Sequence, residues 1–133
     1  MKIGVIAITN GGKALAATLV KRLDQATLLL EDGKVADKLS AHWQQFDGFI
    51  CIMAAGIVVR SIAPLLQHKH HDPCVIVMDE KARHIVSLLS GHIGGGNDLA
   101  RLVSQLTGGT AVITTSSDTL DLVPLDLWAK KQN

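Results

Sequence analysis

The chain has 133 residues, a length that fits one domain. Apolar residues make up 47 % of it, but it contains only two Phe and two Trp, so the core must be built from Val, Ile, Leu and Ala. The formal net charge of +1 and the shortage of aromatic rings argue against nucleic acid as a ligand. No apolar run approaches the roughly 18 residues of a membrane span, so we expect a cytoplasmic protein without a membrane partner.

Strand-like and helix-like segments alternate along the first half of the chain. Residues 2–9 form a continuous β-rich run, and the segment after it places Leu15, Leu19 and Leu23 on one helical face. The next elements are a strand, a helix, a strand and a helix with a kink at Pro64, at residues 26–30, 35–46, 48–54 and 55–67. Alternation of this kind favours a mainly parallel sheet with helices on both faces.

The second half of the chain changes character. Short strands at 74–78 and 84–89 flank a turn-like break and predict a β-hairpin. A helix then runs to a stop at Gly108, and a last strand covers residues 110–115. We therefore predict one α/β domain over residues 1–133, a three-layer sandwich with a mainly parallel central sheet and the hairpin at one edge.

Candidate functional segments follow four of these strands. In open α/β sheets, ligands bind where the carboxyl ends of the strands and the connecting loops converge. We therefore expect the loops that hold Gly56, His92 and Asp118 to lie on one edge of the sheet. For Arg60 we give equal weight to two interpretations: a solvated residue on the helix surface, and a guanidinium group that binds a carboxylate. The segment NGGK after the first strand lacks a nucleotide fingerprint, so a plain strand-to-helix turn is favoured over a phosphate cradle.

Among the candidate functional segments, SLLSGHIGGGNDLA, residues 87–100, most strongly indicates a binding or catalytic site. Its three consecutive glycines, Gly94 to Gly96, precede a helix whose first amides and dipole are able to hold an anion without steric obstruction. We expect Asn97 or Asp98 to cap this helix. His92, just ahead, is a residue type that moves protons in enzymes or binds a metal through a ring nitrogen. The structural alternative is a glycine turn packed against a neighbouring helix, with a hydrogen-bonded histidine.

Histidines and cysteines elsewhere favour structural roles. The stretch HKHHD at 68–72 holds three histidines in four positions, but no matching Cys or carboxylate spacing accompanies it, so a solvated loop is favoured over a metal site. Cys51 and Cys74 lie in or next to apolar strand-like runs and form no CxxC motif, which favours inert core thiols. We expect no metal site and no cofactor.

Four linked motifs together resemble one known family. In this order and spacing, MAAGIVVRSIAPLL, HDPCVIVMDE, SLLSGHIGGGNDLA and VITTSSD are similar to the cobalamin-biosynthesis protein G family, the cobalt-precorrin-5A hydrolases. The similarity covers residues 50–118, and the family's usual alanine in the glycine segment is Gly96 here. Family members generally continue into a middle region and a C-terminal domain, which these 133 residues do not include.

The resemblance implies a reaction and a set of roles. The family opens the ring-A δ-lactone of cobalt-precorrin-5A with water and expels acetaldehyde, giving cobalt-precorrin-5B in the anaerobic route to vitamin B12, with cobalt carried in the substrate. Such a reaction needs a base for the water and donors for the developing oxyanion. We assign His92 as the base, Asp98 or Asp118 as a relay, and the amides around Gly94 to Gly96 as the donors. The expected substrate-binding residues are Gly56, Arg60, Lys69, Ser90, Gly91, Gly94, Gly95, Gly96, Asn97 and Thr115.

Two other function classes stay open at this point. One is a flavodoxin-like module that holds a phosphate-bearing cofactor, although the missing nucleotide fingerprint counts against it. The other is a non-catalytic assembly domain of a larger enzyme. The expected partners are the tetrapyrrole (cobalt-corrinoid) substrate and the family's middle and C-terminal domains, and a homo-oligomer is left open.

Overall fold

The computed structural model describes residues 1–115, which form one six-stranded sheet with helices on both faces. The strands are β1 (Ile3–Ala7), β2 (Ala26–Leu28), β3 (Gly48–Ile52), β4 (Cys74–Met78), β5 (His84–Leu89) and β6 (Thr110–Val112). The helices are α1 (Asn10–Arg22), α2 (Val35–His42), α3 (Ala55–Ile62) and α4 (Gly96–Thr107). No helix within these 115 residues is long and apolar enough to cross a membrane.

Strand direction reverses once within the sheet, whose order is β2-β1-β3-β4-β5-β6. β1 to β4 are mutually parallel. β5 pairs antiparallel with β4, and β6 pairs parallel with β5. The edge where β1 to β4 end is the carboxyl edge, and the opposite edge, where β5 and β6 end, is the amino edge. Loops that follow β5 or β6 therefore lie at the amino edge.

Two apolar clusters, one on each face of the sheet, hold the layers together. On one face α1 and α4 pack on the strands through side chains that include Leu19, Leu99 and Val103. On the other face α2 and α3 pack through Leu39 and Val58, both fully buried. β1, β3 and β4 are buried at every position because helices cover both faces. The predicted sandwich with a mainly parallel sheet is confirmed.

The structure differs from the sequence prediction at several element ends and in the place of the hairpin within the sheet. α1 begins at Asn10 because the Thr9 hydroxyl accepts a hydrogen bond from the Gly12 amide at 3.0 Å and caps the helix. α3 ends at Ile62, and a 3-10 turn containing Pro64 follows, since proline cannot continue the helical hydrogen bonds. The predicted hairpin is present as β4 and β5, but it lies inside the sheet because β6 pairs with β5 and forms the outermost strand.

An ion pair links the segment after β2 to the end of α2. His42 contacts the Glu31 carboxylate through Nε2 and the Gln45 side chain through Nδ1. Hydrogen bonds to Gln45 and Glu31 raise the pKa of His42 above its ordinary value of 6.5. A backbone hydrogen bond and the His42 ring lower the pKa of Glu31 below its ordinary value of 4.5. The pair therefore favours the folded state while both groups are charged.

We expect the contribution of this pair to depend on pH. The raised pKa of His42 stabilises the fold fully below pH 6.5, and this stabilisation is lost as pH rises through the folded-state value. The lowered pKa of Glu31 stabilises the fold above pH 4.5, and this stabilisation is lost as pH falls through the folded-state value. The Tm difference between the wild type and Glu31→Gln, measured by circular dichroism, should therefore be largest between pH 4.5 and 6.5. A difference independent of pH would contradict this.

Both cysteines should be inert in the native chain. Cys51 and Cys74 have no exposed surface, and burial raises the pKa of Cys51 to about 12. Because the thiolate is the reactive species, iodoacetamide should leave the folded chain unmodified and alkylate both residues in denaturant. Mass spectrometry of the two samples measures this. Rapid labelling of Cys51 without denaturant would contradict this expectation, because it would show that the thiol on β3 is accessible in the native chain.

Candidate functional site

The residues predicted for the site divide between the two edges of the sheet. Gly56 and Arg60 lie on α3, which begins at the carboxyl edge after β3. His92 follows β5 and Thr115 follows β6, so both lie at the amino edge. Strands of five residues separate the edges by about 17 Å. The prediction that Gly56 and His92 share an edge is wrong, because β5 runs antiparallel to β4. Asp118, the third residue of that prediction, lies outside the described residues.

The amino edge gathers most of the remaining predicted residues around residues 90–96, the glycine loop. Ser90, which begins the loop, has a positive φ of 54° and donates a hydrogen bond from its hydroxyl to the Asp72 carbonyl oxygen at 3.3 Å. Asp72 belongs to the loop before β4, which also carries Lys69. Asn97 donates from Nδ2 to Thr115 Oγ1 at 3.3 Å. The loops before β4, after β5 and after β6 therefore meet at one place.

Close approach of the backbone accounts for the glycines of this loop. A Cβ on Gly91 would lie 2.4 Å from Asn97 Oδ1, and a Cβ on Gly94 would lie 2.7 Å from the Ser90 carbonyl oxygen. The Gly96 amide donates to the Ser90 carbonyl at 3.3 Å, and the Asn97 amide donates to the Gly91 carbonyl at 2.9 Å. Both amides are therefore used within the loop. The expectation that Gly96 offers its amide to an anion is wrong, because Ser90 already accepts from it.

α4 begins without the side-chain cap that the sequence predicts. Its N-cap is Gly95, in the left-handed region at φ 87°, and the cap makes no side-chain hydrogen bond. Asn97 and Asp98 instead lie in the first turn, only 3 % and 4 % exposed. The Asp98 carboxylate faces Arg101, with Oδ1 3.6 Å from Nη1. The prediction of Asn97 or Asp98 as the cap is wrong, because the chain enters the helix through a positive φ that favours glycine.

The rim of the amino edge is exposed and rich in histidine. His92 and Ile93 are exposed at the tip of the glycine loop. The loop before β4 exposes Lys69 and three histidines, and the rings of His68 and His70 stack with their centroids 4.9 Å apart. Among residues 1–115, no three His, Cys, Asp or Glu side chains are grouped to hold a metal ion. The rim therefore presents proton-transfer and cationic groups to a ligand that arrives from solvent.

A crevice of about 670 Å³ lies at the carboxyl edge, where β1, β3 and β4 end. At this point α1 leaves β1 toward one face and α3 leaves β3 toward the other, which makes it the topological switch point of the sheet. Its walls are mostly apolar and include the exposed side chains of Ile8 and Ile57. Its polar lining consists of Thr9, Asp79, Glu80, Arg83 and His84.

Sequence reasoning missed the polar residues of this crevice, among them Glu80, which contacts the start of α1. The Thr9 hydroxyl donates to Glu80 Oε2 at 2.5 Å, and a Cβ on Gly11 would lie 2.9 Å from the same oxygen. The first turn of α1 contains no acidic residue, so Glu80 supplies the negative charge that the start of a helix favours. The Glu80 carboxylate therefore lies against the NGGK turn. The functional alternative for this turn placed a phosphate at the same position.

A second cavity, of about 640 Å³, contains Arg60 in its lining. It opens between α2 and α3 at the ends of β1 and β2. Arg60 extends beside Gly56, because a Cβ there would lie 3.3 Å from Arg60 Nη1. Gly56 and Arg60 are therefore neighbours, as their spacing on one helix implies, but they lie on the opposite edge from the glycine loop.

Comparisons with curated proteins agree with the motif resemblance. A relative from Priestia megaterium named cobalt-precorrin-5A hydrolase is 36 % identical over 143 residues, covering 96 % of this chain and 38 % of the relative. A protein of the same name from Salmonella typhimurium is 37 % identical over 141 residues, covering 98 % of this chain and 40 % of the relative. The chain therefore spans about two fifths of the length of these relatives.

A solved structure and a family model complete the comparison. The crystal structure of a cobalamin biosynthesis protein G homologue from Sulfolobus solfataricus matches with a TM-score of 0.71 at 23 % identity, over 85 % of this chain and 36 % of that one, which supports the fold. The model described as cobalamin synthesis G N-terminal matches residues 37–118. Because this match covers more than half of the 133 residues, the chain belongs to the cobalamin synthesis G N-terminal family.

Proposed function

We propose that this chain is the N-terminal part of a cobalt-precorrin-5A hydrolase of anaerobic cobalamin biosynthesis, acting in the cytoplasm. The observation that carries the proposal is the 36 % and 37 % identity with two proteins of that name across nearly the whole chain. In the implied reaction, water adds to the ring-A lactone carbonyl of cobalt-precorrin-5A and the lactone C–O bond breaks. Collapse of the released alkoxide then breaks the C–C bond to the macrocycle and expels acetaldehyde. The electron pair left on the ring carbon takes up a proton, which gives cobalt-precorrin-5B.

The amino edge is the part of this chain that we place against the lactone. It brings together the exposed His92, the loop that carries Lys69, and Thr115 after β6. Lys69 adds positive charge for the acetate and propionate groups of the substrate. The glycine loop has few side chains to obstruct a flat macrocycle, because packing excludes a Cβ at Gly91 and Gly94. The rest of the hydrolase is expected to complete the site, since the chain spans about two fifths of its relatives.

The geometry narrows the roles within this edge. His92 fits the base because it is an exposed histidine at the tip of the glycine loop, where water and substrate arrive. Asp98 is buried and faces Arg101, so we treat it as a positioning residue for the start of α4 rather than as a proton relay. The amides of Gly96 and Asn97 are used within the loop, so we place the oxyanion donors among the amides of residues 92–94. Asp118 keeps the proposed relay role.

His92→Gln tests the base assignment. The glutamine keeps a polar side chain but removes the proton-transfer group, so we expect a folded protein that binds cobalt-precorrin-5A. Acetaldehyde release, measured with the chain as part of the full-length hydrolase, should fall by about 10²–10⁴-fold. Visible absorbance titration of the substrate and circular dichroism provide the binding and folding controls. A wild-type rate in the folded variant would leave His92 a structural or binding residue.

Gly91→Ala, compared with Gly56→Ala, tests whether close packing is the reason for glycine at position 91 of the glycine loop. At Gly91 the new Cβ meets Asn97 Oδ1 at 2.4 Å, so we expect a loss of about 1–3 kcal/mol in the free energy of unfolding. At Gly56 the Cβ meets only the flexible end of Arg60, so alanine on the helix should be neutral or stabilise by up to about 1 kcal/mol. Urea denaturation measures both. An unchanged stability of Gly91→Ala would contradict the packing account.

A further inference from the structure

Two oppositely charged side chains, Glu80 and Arg83, line the crevice at the carboxyl edge. Both belong to the turn between β4 and β5. Asp79 closes this turn by accepting hydrogen bonds from the amides of Arg83 and His84 at 3.0 Å and 2.9 Å. Asp79 and His84 are the other titratable residues of the lining, and the Asp79 carboxylate is occupied by these amides. The backbone that carries the two charges is therefore held in place.

The charges of Glu80 and Arg83 are available to a ligand. Within residues 1–115, neither side chain forms an ion pair. The Glu80 carboxylate accepts a hydrogen bond from the Thr9 hydroxyl at Oε2, and its Oε1 has no partner among the described residues. A carboxylate accepts several hydrogen bonds, and a guanidinium donates in a planar fork. The crevice thus presents an anionic acceptor and a cationic donor together.

The rest of the lining is mostly apolar. Ile52 and Met78, at the ends of β3 and β4, are buried, whereas Ile8 and Ile57 are 45 % and 37 % exposed. An apolar group that covers Ile8 and Ile57 removes their surface from water, which favours binding. The volume of about 670 Å³ lies within the range of small-molecule sites. The crevice therefore suits a small ligand that combines charged groups with an apolar part.

The signs of the two charges select the class of ligand. A ligand with only negative charge is repelled by Glu80, and a ligand with only positive charge is repelled by Arg83. A zwitterion pairs with both. Glu80 and Arg83 lie three residues apart on one turn, which favours a ligand whose opposite charges are also close together. An α-amino acid has its charges on neighbouring atoms and leaves its side chain for the apolar walls.

We propose that the crevice binds an apolar α-amino acid in its zwitterionic form. The ammonium group donates to the Glu80 carboxylate, and the ligand carboxylate accepts from the Arg83 guanidinium. The ligand side chain contacts Ile8 and Ile57. The crevice lies at the opposite edge of the sheet from the glycine loop, so the proposal does not depend on the hydrolase assignment.

Titration of the 133-residue chain with L-leucine, followed by amide chemical shifts, tests the proposal. We expect saturable shifts at residues 8–9 and 79–84. Leucinamide lacks the carboxylate and N-acetyl-L-leucine lacks the ammonium group, so each should bind about fivefold more weakly at a pH of about 6.5, where free amino groups are protonated. Glycine should bind about tenfold more weakly, because it has no side chain to cover Ile8 and Ile57.

Two variants assign the charged contacts. Arg83→Gln should weaken the binding of leucine about fivefold and leave the affinity for leucinamide unchanged. Glu80→Gln should weaken the binding of leucine by about the same factor and leave the affinity for N-acetyl-L-leucine unchanged. The glutamine keeps an acceptor for the Thr9 hydroxyl, and circular dichroism provides the folding control. Lys81→Gln is the matched control, since Lys81 is exposed on the same turn but lies outside the lining, and it should stay within about twofold of the wild type.

Several outcomes would overturn the site. They are the absence of saturable shifts in the crevice, an affinity for leucine no higher than that for glycine or either blocked derivative, and equal losses in Arg83→Gln and Lys81→Gln. The zwitterion ε-aminocaproate carries its charges further apart, and tighter binding of it than of leucine would overturn the α-amino acid class. None of these measurements uses acetaldehyde release, so a failure of the hydrolase assignment leaves their results unchanged.

Discussion

The turn after β4 reverses the direction of the chain and so determines which loops lie at the same edge of the sheet. The Asp79 carboxylate accepts hydrogen bonds from the amides of Arg83 and His84 at 3.0 Å and 2.9 Å and closes the turn. Partial burial raises the pKa of Asp79, but hydrogen bonds from the amides of His84, Arg83 and Lys81 outweigh it and lower the pKa below its ordinary value. The carboxylate is therefore charged at neutral pH, the form that accepts these bonds best.

The same turn positions the last described strand. The Thr110 amide donates to the Arg83 carbonyl at 2.9 Å, and a Cβ on Gly109 would lie 2.0 Å from the Ala82 carbonyl oxygen. β6 therefore starts against the turn and follows β5 in direction. Because both strands run against β1 to β4, the chain after each of them reaches the amino edge, where Asn97 meets Thr115. One short turn thus separates the glycine loop from the switch-point crevice.

Local pattern predicted the elements well, and long-range contacts explain what it missed. Apolar runs located β1, β3 and β4, since strands covered on both faces must be apolar throughout. The hairpin was predicted too, but its consequence for the edges was overlooked, because antiparallel β5 sends His92 away from Gly56. Glu80 could not be assigned from its neighbours, as its partner Thr9 lies 71 residues earlier. Its role depends on β1 and β4 both lying beside β3.

The glycine loop shows how packing and presentation of a functional group combine in one segment. Ser90 adopts a positive φ of 54°, which is unfavourable for a residue with a side chain. Its hydroxyl contacts the Asp72 carbonyl and its carbonyl accepts from the Gly96 amide, so both ends of the residue are held. The glycines let the backbone fold back on this anchor, and the chain between them projects His92 into solvent. The glycines therefore account for the path of the loop, and the residues at its tip, His92 and Ile93, are the exposed ones.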